Sequence, residues 1–214
     1  MNRKWTGFAA VVLVLALVLT LGGCGASEKE TLLGTWKGET DITDLVNRSL
    51  TAGVDEELAG FLTFDNVTLV VVLTFREDDS FSMALDETAL ETTVEQMKAD
   101  FAGGMEQFLV KRAAAEGKEA SLEEILDSMD TTMEELVNEA ITSDLVNTLA
   151  AGIAGEGAFR AENGTLYLSG EEGEEIPQSY ALKGGTLTLG APENSQELDI
   201  YFQAMYPMVF QKAE

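Results

Sequence analysis

Val67-Thr68-Leu69-Val70-Val71-Val72-Leu73-Thr74-Phe75 is the most strand-like run in the chain. It is β-branched and nearly continuous, which predicts a strand buried on both faces at its centre. A polar turn follows, Glu77-Asp78-Asp79-Ser80, and then Phe81-Ser82-Met83-Ala84-Leu85 alternates as a return strand. The pair reads as a β-hairpin.

Working toward the C-terminus, the same plan recurs. Ala158-Phe159-Arg160-Ala161-Glu162 and Thr165-Leu166-Tyr167-Leu168 flank Asn163-Gly164, which supplies the two positive-φ positions of a type I′ turn. Ser179-Tyr180-Ala181-Leu182 and Thr186-Leu187-Thr188-Leu189 flank Lys183-Gly184-Gly185. Residues 170–178 read as an acidic loop between the hairpins. Residues 198–205 fit either a strand or a short helix, because Leu198, Tyr201, Phe202 and Met205 keep helical spacing. Residues 207–212 read as a closing strand, with Pro207 tolerable at its start. With an opening strand at residues 32–38, the count reaches about eight, the natural size of a small closed barrel.

Between the hairpins, at about residues 86–154, the period changes. Leu90, Val94, Met97, Phe101, Met105 and Phe108 form one apolar stripe on a long helix. Gly103-Gly104 interrupts that helix and is expected to kink it, and Gly117 is its stop. Ser121-Leu122-Glu123-Glu124 is a capping box that opens a second helix. Asp130-Thr131-Thr132 restarts the pattern, Ser143-Asp144 caps a last piece, and residues 152–157 end the block. Ahead of the first hairpin, residues 41–50 read as a short helix capped by Asp41. The fold class is therefore α+β: an antiparallel β meander forming a small barrel, with an inserted α-helical block.

The start of the chain carries an address. Arg3 and Lys4 precede an unbroken apolar run at residues 8–19, and the small residues Gly22 and Gly23 follow. A positive start, an apolar middle and a small-residue end make a secretory signal. The run is shorter than the roughly 18 residues that favour a transmembrane helix. Leu21-Gly22-Gly23-Cys24 resembles the lipobox of bacterial lipoproteins. The resemblance implies cleavage between Gly23 and Cys24, and lipid on the Cys24 sulfur. Residues 1–23 are then the signal peptide, 24–31 a tether, and 32–214 a single domain. The expected location is extracytoplasmic, anchored to the bacterial cell membrane by that lipid. Cys24 is the only cysteine, so no disulfide is available and stability rests on an ordinary core.

Gly34-Thr35-Trp36, near the start of the β domain, resembles the G-x-W start of lipocalins and lipocalin-like bacterial lipoprotein domains. That resemblance implies an antiparallel barrel with Trp36 closing one end. Lipocalins lay an arginine of the closing strand over this tryptophan; Lys212 is the nearest candidate here. The second and third lipocalin motifs are absent, and the insert of about seventy residues is foreign to a simple lipocalin.

Composition excludes several functions. The chain has 13 Lys and Arg against 38 Asp and Glu. Without Arg3 and Lys4 of the signal, the mature part carries 11 against 38, a formal net charge of −27. Such a surface repels nucleic acid and gives no polybasic grip on anionic lipid. There is no histidine, which removes the usual general base, the commonest metal ligand and the serine triad. No phosphate-binding loop or dinucleotide glycine fingerprint is present, and the acidic turns lack calcium-loop spacing. An enzyme is not expected, and neither a cofactor nor a metal. The feature with a binding reading is the soft stripe of Met97, Phe101, Met105 and Phe108, joined by Met129 and Met133. It reads either as core of the insert or as a groove for a small apolar ligand. The functional expectation is a lipid-anchored binding module for such a ligand or for an envelope partner. The alternative is a structural lipoprotein that recognises another envelope protein through its acidic face, with no small ligand.

Overall fold

Eight strands follow one another around a closed barrel, each antiparallel to the next, and the eighth pairs back onto the first. The computed structural model describes residues 28–52, 54–170, 173–193, 195, 203 and 205–213. Residues 1–27, with Gly23 and Cys24 and the whole stretch expected to be a signal, lie outside these, as does most of residues 198–205. Among the described residues no helix is long and apolar enough to cross a membrane.

Helix α1 (Glu28–Leu32) occupies what the sequence assigns to the tether and to the first residues of the opening strand. Two acidic residues favour its first turn, and the Thr31 hydroxyl donates back to the Glu28 carbonyl at 2.7 Å. Strand β1 runs later than expected, over Gly34–Asp41. Helices α2 (Thr43–Thr51) and α3 (Glu56–Ala59) lead to β2 (Thr68–Phe75). Asp41 does not cap α2: its carboxylate accepts the Thr43 amide at 2.9 Å, one residue short of the cap position held by Ile42. Strand β3 (Ser80–Leu85) completes the first hairpin.

The helical insert then comprises α4 (Glu87–Ala115), α5 (Leu122–Ser128), α6 (Met133–Ala140) and α7 (Ser143–Ile153). Its punctuation is local and follows the sequence. At the end of α4, Gly117 takes φ +74°, its amide reaching Ala114 and that of Lys118 reaching Ala113, the Schellman pattern. Ser121 and Glu124 form the capping box in full, and Thr132 and Glu135 form a second one.

Strands β4 (Gly155–Glu162), β5 (Thr165–Ser169), β6 (Glu175–Lys183), β7 (Thr186–Pro192) and β8 (Met208–Lys212) close the sheet. Asn163 and Gly164 both have positive φ, as the type I′ turn requires. Strand β6 begins inside the expected acidic loop. Glu175 is drawn into the sheet because Arg160 of β4 grips its carboxylate with two nitrogens, each 2.8 Å away. The same guanidinium lies over the Tyr167 ring, 3.4 Å from its centroid.

Two expectations are corrected by packing. Strand β2 is not buried on both faces. Leu69, Val71, Leu73 and Phe75 point into the core, whereas Thr68, Val70, Val72 and Thr74 are half-buried on the outside. Helix α4 packs beside β2, and its Thr93 hydroxyl donates to the Thr68 carbonyl at 2.8 Å. Asp86 ties the same helix to β1: it caps Ala89 and takes the Lys37 ammonium at 2.8 Å. The hydrogen bond from Lys37 holds the Asp86 carboxyl below its usual range. This contact is therefore complete above the ordinary carboxylate range and fades as pH falls through the lowered value.

The second correction is at Gly103-Gly104, where α4 runs on without a break for 29 residues. Gly104 is there for close approach. A Cβ on it would run into the Phe61 carbonyl, while a Cβ on Gly103 would meet nothing within 4 Å. The two neighbours should therefore respond oppositely to the same change. Gly103→Ala is expected to stabilise the fold by about 0.5–1 kcal/mol through helix propensity. Gly104→Ala is expected to cost about 1–3 kcal/mol, because backbone must move to admit the methyl. Paired urea titrations read both signs.

Candidate functional site: an apolar cavity at the barrel mouth

The two ends of the barrel differ by construction. Residues 76–79, 163–164 and 184–185 are short turns and all lie at one end. The longer connections, residues 42–67, 86–154, 170–174 and 193–207, all lie at the other. Large side chains fill the interior beneath the short turns. Trp36, Phe75, Phe159, Leu166, Leu187 and Phe210 are all nearly or fully buried, and the Phe75 and Phe159 rings sit 4.6 Å apart. Trp36 pairs with Lys212 in register, and the Lys212 ammonium lies 5.3 Å from the Trp36 ring centroid, a cation–π contact. Its chain also passes over Gly34, 3.3 Å from where a Cβ would stand.

At the opposite end the filling stops short, leaving a cavity of about 410 Å³. Its apolar walls include Phe81 and Met83 of β3, Leu168 of β5, Ile176 of β6 and Met208 of β8. The junction of α7 and β4 is the reason for the space. Gly152, Ile153, Ala154 and Gly155 line the cavity, and only Ile153 of the four has a side chain larger than methyl. A volume of this size suits a small molecule.

Among the described residues three polar ones border the cavity: Gln178, Tyr206 and Glu156, the last exposed on the outer face of β4. Gln178 is 5% exposed and is the one polar residue that is buried among the described residues. It follows the inward register of β6, shared with the half-buried Tyr180 and Leu182. Its amide makes no side-chain hydrogen bond to a described residue. Among the described residues the fully buried side-chain atom without a partner is Asp100 Oδ2; the Gln178 amide keeps access to the cavity's open space, where a ligand group or water can meet it. Burial pushes the Tyr206 phenol up from its ordinary value, so it is a protonated donor at neutral pH. Among the described residues no lysine or arginine lines the cavity.

The structure places the sequence-derived candidates elsewhere. Met97, Phe101, Met105 and Phe108 are 4–9% exposed, in a seam between α4 and its neighbours. Phe61 meets Phe108 edge-on with ring centroids 5.9 Å apart, Leu62 lies beside Gly104, and α5 and α6 pack on the same helix. Met129, expected with the stripe, is 48% exposed. The mouth residues come from six strands and one helix end, a juxtaposition that periodicity does not show. Two local signals were present: the small-residue run at 152–157, and a glutamine at an inward position of an otherwise apolar strand face.

No family model, no curated protein and no solved structure matches the chain.

Proposed function

We propose that this chain is an exported, lipid-anchored binding module that holds a small apolar ligand in the mouth of a lipocalin-like barrel. The observation that carries the reading is the apolar cavity lined by one largely buried amide side chain, that of Gln178. Such a combination is what a ligand site needs: area for affinity and a polar group for orientation. The lipocalin-like assignment is supported by the order of the closed meander and by Lys212 over Trp36. The address rests on Leu21-Gly22-Gly23-Cys24, which supports an extracytoplasmic, membrane-anchored location.

The test is native mass spectrometry of the lipidated protein, released gently from its own membranes. The wild type is expected to carry a reproducible extra mass that leaves on denaturation. Leu168→Trp, which fills the cavity from β5, is expected to lack it while keeping the lipid on Cys24. A wild type free of cargo would overturn the reading and favour the second one, an envelope-protein contact through the acidic face. Salt would then separate the two, because an exposed acidic contact weakens with ionic strength.

A further inference from the structure

We propose that the mouth cavity selects an apolar ligand bearing one uncharged hydrogen-bonding head, a carbonyl, amide or hydroxyl, and rejects the corresponding carboxylate. The inference rests on the reading of the cavity as a ligand site and adds the chemical class of the ligand.

Gln178 offers both an amide N–H pair and a carbonyl oxygen, and Tyr206 offers a phenolic O–H. Both line the same cavity, and neither side chain is spent on a described neighbour. A neutral carbonyl or hydroxyl satisfies them and leaves no charge buried. A carboxylate fits less well for three reasons. Leaving water for an apolar cavity is costly for a charged group. Among the described residues no lysine or arginine lines the walls to compensate it. The titratable residues that border them among the described ones are Glu156 and Tyr206, and Glu156, exposed on the outer face of β4, adds a like charge nearby. The strongly acidic chain adds the same sign at longer range. Discrimination by an unmatched buried polar group is typically sharper than discrimination by size.

The experiment uses membranes carrying the full-length protein. Two photoactivatable probes of equal chain length are compared at neutral pH: a long-chain diazirine methyl ester and the matching long-chain diazirine carboxylic acid. Labelled peptides are identified by mass spectrometry. The ester is expected to label peptides carrying Met83, Leu168 or Met208 about tenfold more than the acid, the ratio that one unmatched buried group gives. Gln178→Leu is expected to cut ester labelling about fivefold or more, and Glu156→Gln to raise labelling by the acid. Tyr206→Phe, which removes a single hydroxyl, should lower ester labelling in the same direction and serves if Gln178→Leu does not fold. Equal labelling by both probes at the mouth, or labelling indifferent to Gln178 and Tyr206, would overturn the head-group selection while leaving the cavity as a ligand site. Absence of labelling at the mouth by either probe would overturn both.

Discussion

Cys24→Ser is expected to move the chain from the membrane fraction to the soluble fraction and to abolish incorporation of labelled fatty acid. The argument is one of compensating forces. Residues 24–214 carry a formal net charge of −27, so an anionic membrane surface would repel them rather than hold them. Among the described residues no helix is long and apolar enough to cross a membrane. On the proposed lipobox reading, attachment comes from acyl chains, each buried CH₂ contributing about 0.8 kcal/mol. One chain binds only marginally, with a constant of about 10⁴ M⁻¹, whereas two or more hold stably. Cys24 is the only thiol in the sequence, and on that reading its removal takes away the site that would carry them. The expected shift in partition is well beyond about tenfold on this arithmetic. Intact mass separates the outcomes. A released, unacylated chain supports the lipobox reading. A Cys24→Ser chain that stays with the membrane at the mature mass would show that the anchor is something else. A chain retained at precursor mass would show that the uncleaved signal holds it, and loss of acyl label still assigns the lipid to Cys24.

Much of the fold is legible in the sequence where its causes are local. Asn163-Gly164 demands a type I′ turn from its own φ values. The capping boxes at Ser121 and Thr132 are contained within four residues each. The stripe of Met97, Phe101, Met105 and Phe108 declares a helix because the period is written in the chain, and all four residues are buried on α4. Strand β2 is legible as a strand, yet its composition does not say how much of the outer face a distant helix covers.

What is not legible depends on partners far away in sequence. Gly104 looks like a kink until the Phe61 carbonyl is known to stand against it. Glu175 looks like loop until Arg160, fifteen residues earlier, is known to hold it. The tether looks polar and formless, yet its own charges and Thr31 favour a helical turn. The mouth cavity belongs to this second class. Its walls come from strands that the barrel brings together only on closure, and the residues that create it are those that contribute least side chain.

Gly38→Val tests that closure, and it is expected to destabilise the barrel strongly. Gly38 lies on β1 between two partners, opposite Val71 of β2 and Phe210 of β8. A Cβ there would stand 2.6 Å from the Val209 carbonyl oxygen and 2.8 Å from the Phe210 ring. The ring is a side chain and can turn. The carbonyl is part of the strand backbone, and moving it opens the seam between the first and last strands. Valine adds two further methyl groups beside Trp36 and Phe210, both of which are 1% exposed and have no space to give. Overpacking of this kind costs about 3 kcal/mol or more when backbone must shift. Against a total stability of about 5–15 kcal/mol, that lowers the melting temperature by about 6–12 °C at this chain length. Circular dichroism of the membrane-extracted protein measures it. Phe210→Leu in the Gly38→Val background is expected to recover only part of the loss, since it relieves the ring and leaves the Val209 carbonyl in place. A Gly38→Val protein that melts with the wild type would mean that β8 does not seat against β1, and a sheet left open there would have no mouth to enclose a ligand.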